Sequence, residues 1–221
     1  MNKNKKPTNK RDQFMNGDRH KSKTAYMVTG LVVVLLLIAA GFYLKSAGNS
    51  AGLKPDPREV KYIGRYLPKE YAPAKLTEPI SYEKRVDPAD IKPEVKDGFI
   101  QLNVGDIIKN RIVYFEYTRA GDNRVIPMTA YVKPSGKLFV GVSLCRPCQA
   151  KRQYIDSDGL LTCSACGTKR DMETQAGVSG ACKLYPLDEM PHRLAGDKVL
   201  ISESSLGSWK EQPLDRSNLE Q

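Results

Sequence analysis

Histidine is nearly missing from this chain: two of 221 residues, and only His192 lies beyond residue 24. One histidine beside Pro191 builds neither a histidine-rich metal site nor a Ser-His-Asp arrangement, and it reads as a surface residue rather than a ligand. Neither Cys-x-x-Cys pair is followed by histidine (Gln149 and Gly167 stand there), which argues against attached c-type haem. There is no glycine-rich phosphate loop and no recognisable pair of catalytic carboxylates. The chain therefore reads as a carrier or binding protein rather than an enzyme, with no small-molecule substrate evident. No nucleic-acid motif accompanies its positive charge, so no nucleic-acid partner is expected. No cysteine follows its long apolar run, where a lipid anchor would attach.

The charge that is present is unevenly placed. The formal net charge is +10, and residues 1–24 supply +6 of it. From Ala25 to Leu44 the sequence reads AYMVTGLVVVLLLIAAGFYL, twenty residues without a charge. That is the length a helix needs to cross a bilayer core of roughly 30 Å. Tyr26, Phe42 and Tyr43 stand near its ends, as interfacial anchors do. The run exceeds the apolar core of a signal peptide, about 7–15 residues, and favours an uncleaved signal anchor. SAGNSAG at 46–52 keeps cleavage as the alternative. The positive-inside rule then places residues 1–24 in the cytoplasm and the remainder outside, as a single-pass protein of the cell membrane.

Composition divides the rest. Residues 45–97 read as a proline-rich stalk, with prolines at 55, 57, 68, 73, 79, 88 and 93. Each fixes φ and removes a backbone donor, so little regular structure is expected. Tyr62, Tyr66, Tyr71 and Tyr82 are expected to pack on the domain surface. Residues 98–206 read as a β-rich domain. FIQLNV, RIVYFEYT, RVIPMTAYV and KLFVGVSL, separated by turn signals, predict an antiparallel meander of about four strands. KRDMETQAG predicts a short helix or turn. GVSGAC at 177–182 is too rich in glycine for helix or strand interior, and KVLISESSL predicts a last strand. Residues 207–221 read as a polar, frayed tail. The fold class is thus one N-terminal transmembrane helix plus a mainly β, small α+β extracytoplasmic domain with two Cys-x-x-Cys knuckles.

Five cysteines carry the chemistry. Cys145, Cys148, Cys163 and Cys166 make C-x2-C-x14-C-x2-C, and Cys182 stands apart. The gap is one residue short of the usual zinc pattern of roughly 15–20. A Cys-x-x-Cys turn points two thiolates the same way, and two facing turns make a tetrahedral four-sulfur site. The connector must reverse direction, and Asp158-Gly159 supplies the hairpin turn. Asp156 and Asp158 resemble the start of a calcium loop whose other ligands are missing, and are read as turn residues. Gly167 suits a left-handed position after Cys166, whereas Gln149 makes the first knuckle less typical. Cys145, Cys148, Cys163 and Cys166 are the expected metal ligands, with Cys182 an exchange ligand or a nearby thiol that tunes the site. Zinc and iron–sulfur chemistry both fit, and spacing does not separate them. Disulfides remain an alternative outside the cytoplasm, though an odd cysteine is awkward for them. A thiol–disulfide role is a further one, disfavoured because the pairs follow strands and turns rather than opening a helix.

The stretch from about Gly98 to Leu206 resembles the membrane iron–sulfur containing, FtrD-like family. The resemblance rests on IVYFEYTRAGDNRVIPMTAYVKPSGKLFVGVSLCRPC, then Lys151 and Tyr154, TCSACGTKRDM, GVSGACKLYPL and GDKVLISESSL, and all five cysteines fall on family positions. It implies a membrane-anchored extracytoplasmic protein holding an iron–sulfur cluster, for which Cys145, Cys148, Cys163, Cys166 and Cys182 are the candidate ligands. It further implies a role in electron transfer or iron handling beside an iron-uptake permease or redox partner. Zinc stays open as the alternative, in a structural ribbon, because a chain exported unfolded must acquire its cluster outside.

Overall fold

The computed structural model describes residues 52–214. In chain order the elements are α1 (Pro57–Val60), β1 (Ala89–Asp90), β2 (Glu94–Lys96), β3 (Phe99–Asn103), α2 (Val104–Asn110), β4 (Ile112–Thr118), β5 (Val125–Val132), β6 (Leu138–Val142), β7 (Gln153–Ile155), β8 (Leu161–Cys163), β9 (Lys169–Arg170), β10 (Gly177–Ser179), β11 (Asp188–Glu189), β12 (His192–Ala195), β13 (Lys198–Ser202) and α3 (Glu203–Gly207). Among them no helix is long and apolar enough to cross a membrane. The apolar run at 25–44 lies outside the described residues.

Three sheets form. The central one has the order β1-β4-β5-β6-β11, a second runs β12-β13-β3-β2, and a third runs β10-β9-β8-β7. The predicted meander is present as β4-β5-β6, with antiparallel pairing from Ile112↔Tyr131 to Val132↔Leu138. The first predicted strand departs from it. β3 pairs with β13 and β2 instead. The reason is local: Asn103 accepts a hydrogen bond from the Gly105 amide (2.7 Å) and caps α2, which turns the chain out of the meander.

The central sheet is covered on both faces, so its strands lose the alternation of a half-buried sheet. All of β6 is buried and only Val125 of β5 is exposed. One face packs Val113, Phe115, Met128 and Val140 against Ile100, Leu102, Val199 and Ile201 of the second sheet. The other packs Ile112, Tyr131 and Phe139 against Ile155 and Leu161 of the third. Tyr131 and Phe139 stack at 4.6 Å. The third sheet, which carries the second knuckle, is thereby fixed to the central sheet, whose last meander strand leads into the first.

The stretch read as a stalk is, from residue 52 on, part of this fold. Its prolines keep it extended, but the extended chain lies along the sheets. β1 pairs in parallel with β4, and Val86 bridges Ile155. Tyr62 and Tyr82 are buried, and the Tyr82 hydroxyl donates to the Val132 carbonyl (2.6 Å). In α1, Asp56 and Glu59 form a reciprocal capping box, and Glu59 also accepts from the Gly177 amide. The tail is likewise packed through residue 212: Trp209 and Gln212 are buried. Two further expectations change. GVSGAC contains a strand, β10, and the last predicted strand ends at Ser202, where α3 begins.

His192 is buried, not a surface residue. Its Nδ1 lies 2.7 Å from the Tyr71 hydroxyl and 3.1 Å from the Met190 carbonyl. Burial pulls its pKa from 6.5 down to about 4, against the opposing pull of the Met190 carbonyl. The unfolded chain therefore takes this proton first as pH falls. The contribution is intact above about 6.5 and is lost on falling toward about 4, up to about 3 kcal/mol in all. Glu189, whose pKa burial raises, works the other way at the acid end. Urea midpoints measured across that window are expected to fall with pH in the native chain and to flatten in His192→Gln.

Candidate metal centre

The two cysteine turns are built alike. In the first, the Cys145 amide donates to the Ala150 carbonyl (2.8 Å) and the Gln149 amide to the Cys145 carbonyl (2.8 Å). In the second, the Cys163 amide donates to the Thr168 carbonyl (2.9 Å) and the Gly167 amide to the Cys163 carbonyl (3.0 Å). Each turn needs a left-handed residue after its second cysteine. Gly167 has φ +68°, and Gln149 takes φ +59° in the matching place. The first knuckle is therefore regular in backbone despite its glutamine, whose Nε2 donates to the Arg146 carbonyl (2.6 Å). No atom stands within 4 Å of a Cβ added at Gly167. Gly167→Ala is thus expected to cost only the left-handed penalty, about 1–2 kcal/mol in thermal or urea unfolding.

The turn at Asp158-Gly159 joins β7 to β8 as predicted. Asp156 Oδ1 accepts from the Asp158 and Leu160 amides, which is the work of a turn residue. The two knuckles then face each other. Cys145 Sγ lies 3.9 Å from Cys166 Sγ, and Cys148 Sγ lies 3.7 Å from Cys163 Sγ. The fifth cysteine joins them: Cys182 Sγ is 3.7 Å from Cys166 Sγ. Spacing along the chain could not place it. β10 carries the chain back over the second knuckle so closely that a Cβ on Gly180 would stand 2.7 Å from Thr168 Cα. The Cys182 amide then donates to Thr168 Oγ1 (3.2 Å).

All five cysteines are free thiols in one cluster, yet they are not equivalent. The sulfurs of Cys145, Cys148, Cys166 and Cys182 all lie within 4.8 Å of one another. The four expected from spacing had Cys163 in place of Cys182. A tetrahedral four-thiolate ion with metal–sulfur bonds of about 2.3 Å has edges of about 3.8 Å. The contacts Cys145–Cys166, Cys148–Cys163 and Cys166–Cys182 match that edge at 3.9, 3.7 and 3.7 Å, and of the five sulfurs Cys145, Cys148, Cys166 and Cys182 form the mutually close set. A polynuclear cluster interposes iron and sulfide between its ligands and needs them farther apart. Cys145, Cys163 and Cys182 are buried, whereas Cys166 is exposed and Cys148 half-buried, so the centre opens to solvent on one side.

The protons of the free thiols follow this arrangement. The hydrogen bond between Cys145 and Cys163 leaves the proton on Cys145, raised by that bond and by burial, and holds Cys163 down at about 4. Burial pushes Cys148 up to about 11 and raises Cys182. Burial acts on Cys166 as well, but the Thr168 hydroxyl and backbone outweigh it and lower its pKa. A cation entering the four-sulfur set therefore displaces protons, and its binding strengthens with pH.

Residues 107–212 match the family model described as membrane iron-sulfur containing protein FtrD-like. The match takes in all five cysteines and agrees with the resemblance read from the sequence. No curated protein and no solved structure matches the chain.

Proposed function

We propose that this chain, which matches an FtrD-like membrane iron–sulfur family over residues 107–212, holds an iron centre on Cys145, Cys148, Cys166 and Cys182 and passes single electrons at the membrane. The observation that carries the reading is a four-sulfur set of ion-binding dimensions with one ligand, Cys166, at the surface. A centre that only stabilises a fold is closed, whereas electron transfer to a partner needs an exposed edge. Bound iron supplies the one-electron couple. Cys145 and Cys182 hold it from the buried side, and Cys148 and Cys166 form the edge a partner approaches. The apolar run at 25–44 is the proposed anchor, with the domain on the extracytoplasmic side. The protein acts here as a carrier beside a permease or redox partner of an iron-uptake system, and is not itself an enzyme.

The sulfur separations favour one metal ion over a cluster, and they fit zinc equally well, which keeps a structural ribbon as the second reading. Metal and sulfide analysis of the full chain, purified without oxygen in detergent, separates the two. Iron with visible absorption that bleaches on reduction supports electron transfer. Acid-labile sulfide with the iron would turn the mononuclear centre into a cluster. One zinc and no colour would make the centre structural, and thiols oxidised in pairs with no metal would overturn both readings.

A further inference from the structure

Arg170 lies against the cysteine cluster with none of its surface exposed. A guanidinium cannot shed its charge, and burying one without an anion is costly. Its Nη2 donates to the carbonyls of Cys182 (3.0 Å) and Tyr185 (2.7 Å), and stands 3.9 Å from Cys145 Sγ. Its Nε and Nη1 are buried without a hydrogen-bond partner. No carboxylate forms an ion pair with it among the described residues. The acidic side chain in contact with it is Cys145, one of the four sulfurs of the proposed centre. A negatively charged metal–thiolate centre at that distance would balance the buried charge.

We propose that Arg170 is the fixed counter-cation of the cysteine thiolates, a positioning residue that favours the anionic, metal-holding form of the site. The proposal deepens the metal-centre reading and rests on it for the identity of the anion. Four thiolates around a divalent ion carry a net charge of about −2, whereas four thiols are neutral. Loading the site therefore builds negative charge beside Arg170, and the buried cation favours the loaded state. The same guanidinium ties the Cys182 return segment, through two carbonyls, to the strand that follows the second knuckle.

Charge and hydrogen bonding separate in two variants. Arg170→Lys keeps the charge; Arg170→Gln keeps a donor without it. Zinc affinity of the full chain, read by chelator competition, is expected to fall about tenfold in Arg170→Gln and to stay within about threefold in Arg170→Lys. Wild-type affinity in a folded Arg170→Gln would overturn the proposal. If Arg170→Gln does not fold, Arg170→Lys decides against wild type: affinity within threefold supports the charge role, and a tenfold loss in a folded protein overturns it. A wild-type chain that takes up no metal would instead overturn the metal-centre reading and the proposal with it, whereas metal uptake with unchanged affinity in Arg170→Gln overturns the proposal alone.

Discussion

Cys182→Ser is expected to empty the metal centre, lowering affinity more than about a hundredfold, while Cys163→Ser lowers it about 10–100-fold. The contrast follows from reach. Cys182 Sγ belongs to the four sulfurs that lie within 4.8 Å of one another, and Cys163 Sγ does not. Loss of a residue that merely supports a ligand costs about 10–100-fold in affinity, so loss of a ligand itself costs more. Packing does not explain the difference, because both side chains are buried and serine is nearly isosteric with each. Cys163 still touches Cys148 at 3.7 Å and shares a hydrogen bond with Cys145, which accounts for the smaller effect. Metal content of the two full-length variants, with chelator competition for any metal retained, checks the order. A full Cys182→Ser beside an empty Cys163→Ser would restore the two-pair set expected from spacing alone.

Much of this centre is legible in the chain because the knuckle is a local object. Cys145-x-x-Cys148 and Cys163-x-x-Cys166 are closed by hydrogen bonds spanning four or five residues, and the reversing turn at Asp158-Gly159 is also local. Cys182 is not. Its place depends on β10 crossing over Thr168, and the glycine that permits the crossing reads in sequence only as a reason to doubt a strand. Arg170 is less visible still, since a Lys-Arg pair after a cysteine looks solvated, and only the fold buries one member. The meander strands are legible from their β-branched and aromatic runs. The extended course of residues 52–97 is legible from their prolines, but its packing is not, because a proline that fixes φ and removes a donor leaves an extended chain free to lie along a sheet. The burial of Tyr62 and Tyr82, and the pairing of β1 with β4, come from partners some twenty or more residues away. His192 reads as a surface residue until Tyr71, far off in the chain, closes over it.

Asp188→Ala is expected to destabilise the domain by about 3 kcal/mol. Asp188 is buried in β11, and four side-chain donors converge on its carboxylate. Arg65 reaches it through two parallel bonds (2.8 and 2.9 Å), the Trp209 indole donates at 2.8 Å, and Gln212 donates at 3.2 Å. These donors come from the segment before the sheets and from the segment after them, so one carboxylate joins both ends of the described chain to the central sheet. Removing it leaves a guanidinium, an indole N–H and an amide to be resolvated or left unpaired, and each carries a desolvation cost. Arg65 is partly exposed, which places the loss near the low end of the range for a broken buried pair. Arg65→Ala should cost less, because Asp188 keeps the bonds from Trp209 and Gln212, although its buried carboxylate then lacks a counter-charge. The consequence reaches the metal centre as well. Gln212 also donates to the Pro186 carbonyl (2.8 Å), in the segment that returns from Cys182. A chain with Asp188→Ala should therefore show a lower urea midpoint, earlier proteolytic release of both ends, and faster metal loss to a chelator. Equal midpoints for Asp188→Ala and Arg65→Ala would show that the ion pair alone, and not the four-donor junction, holds the ends in place.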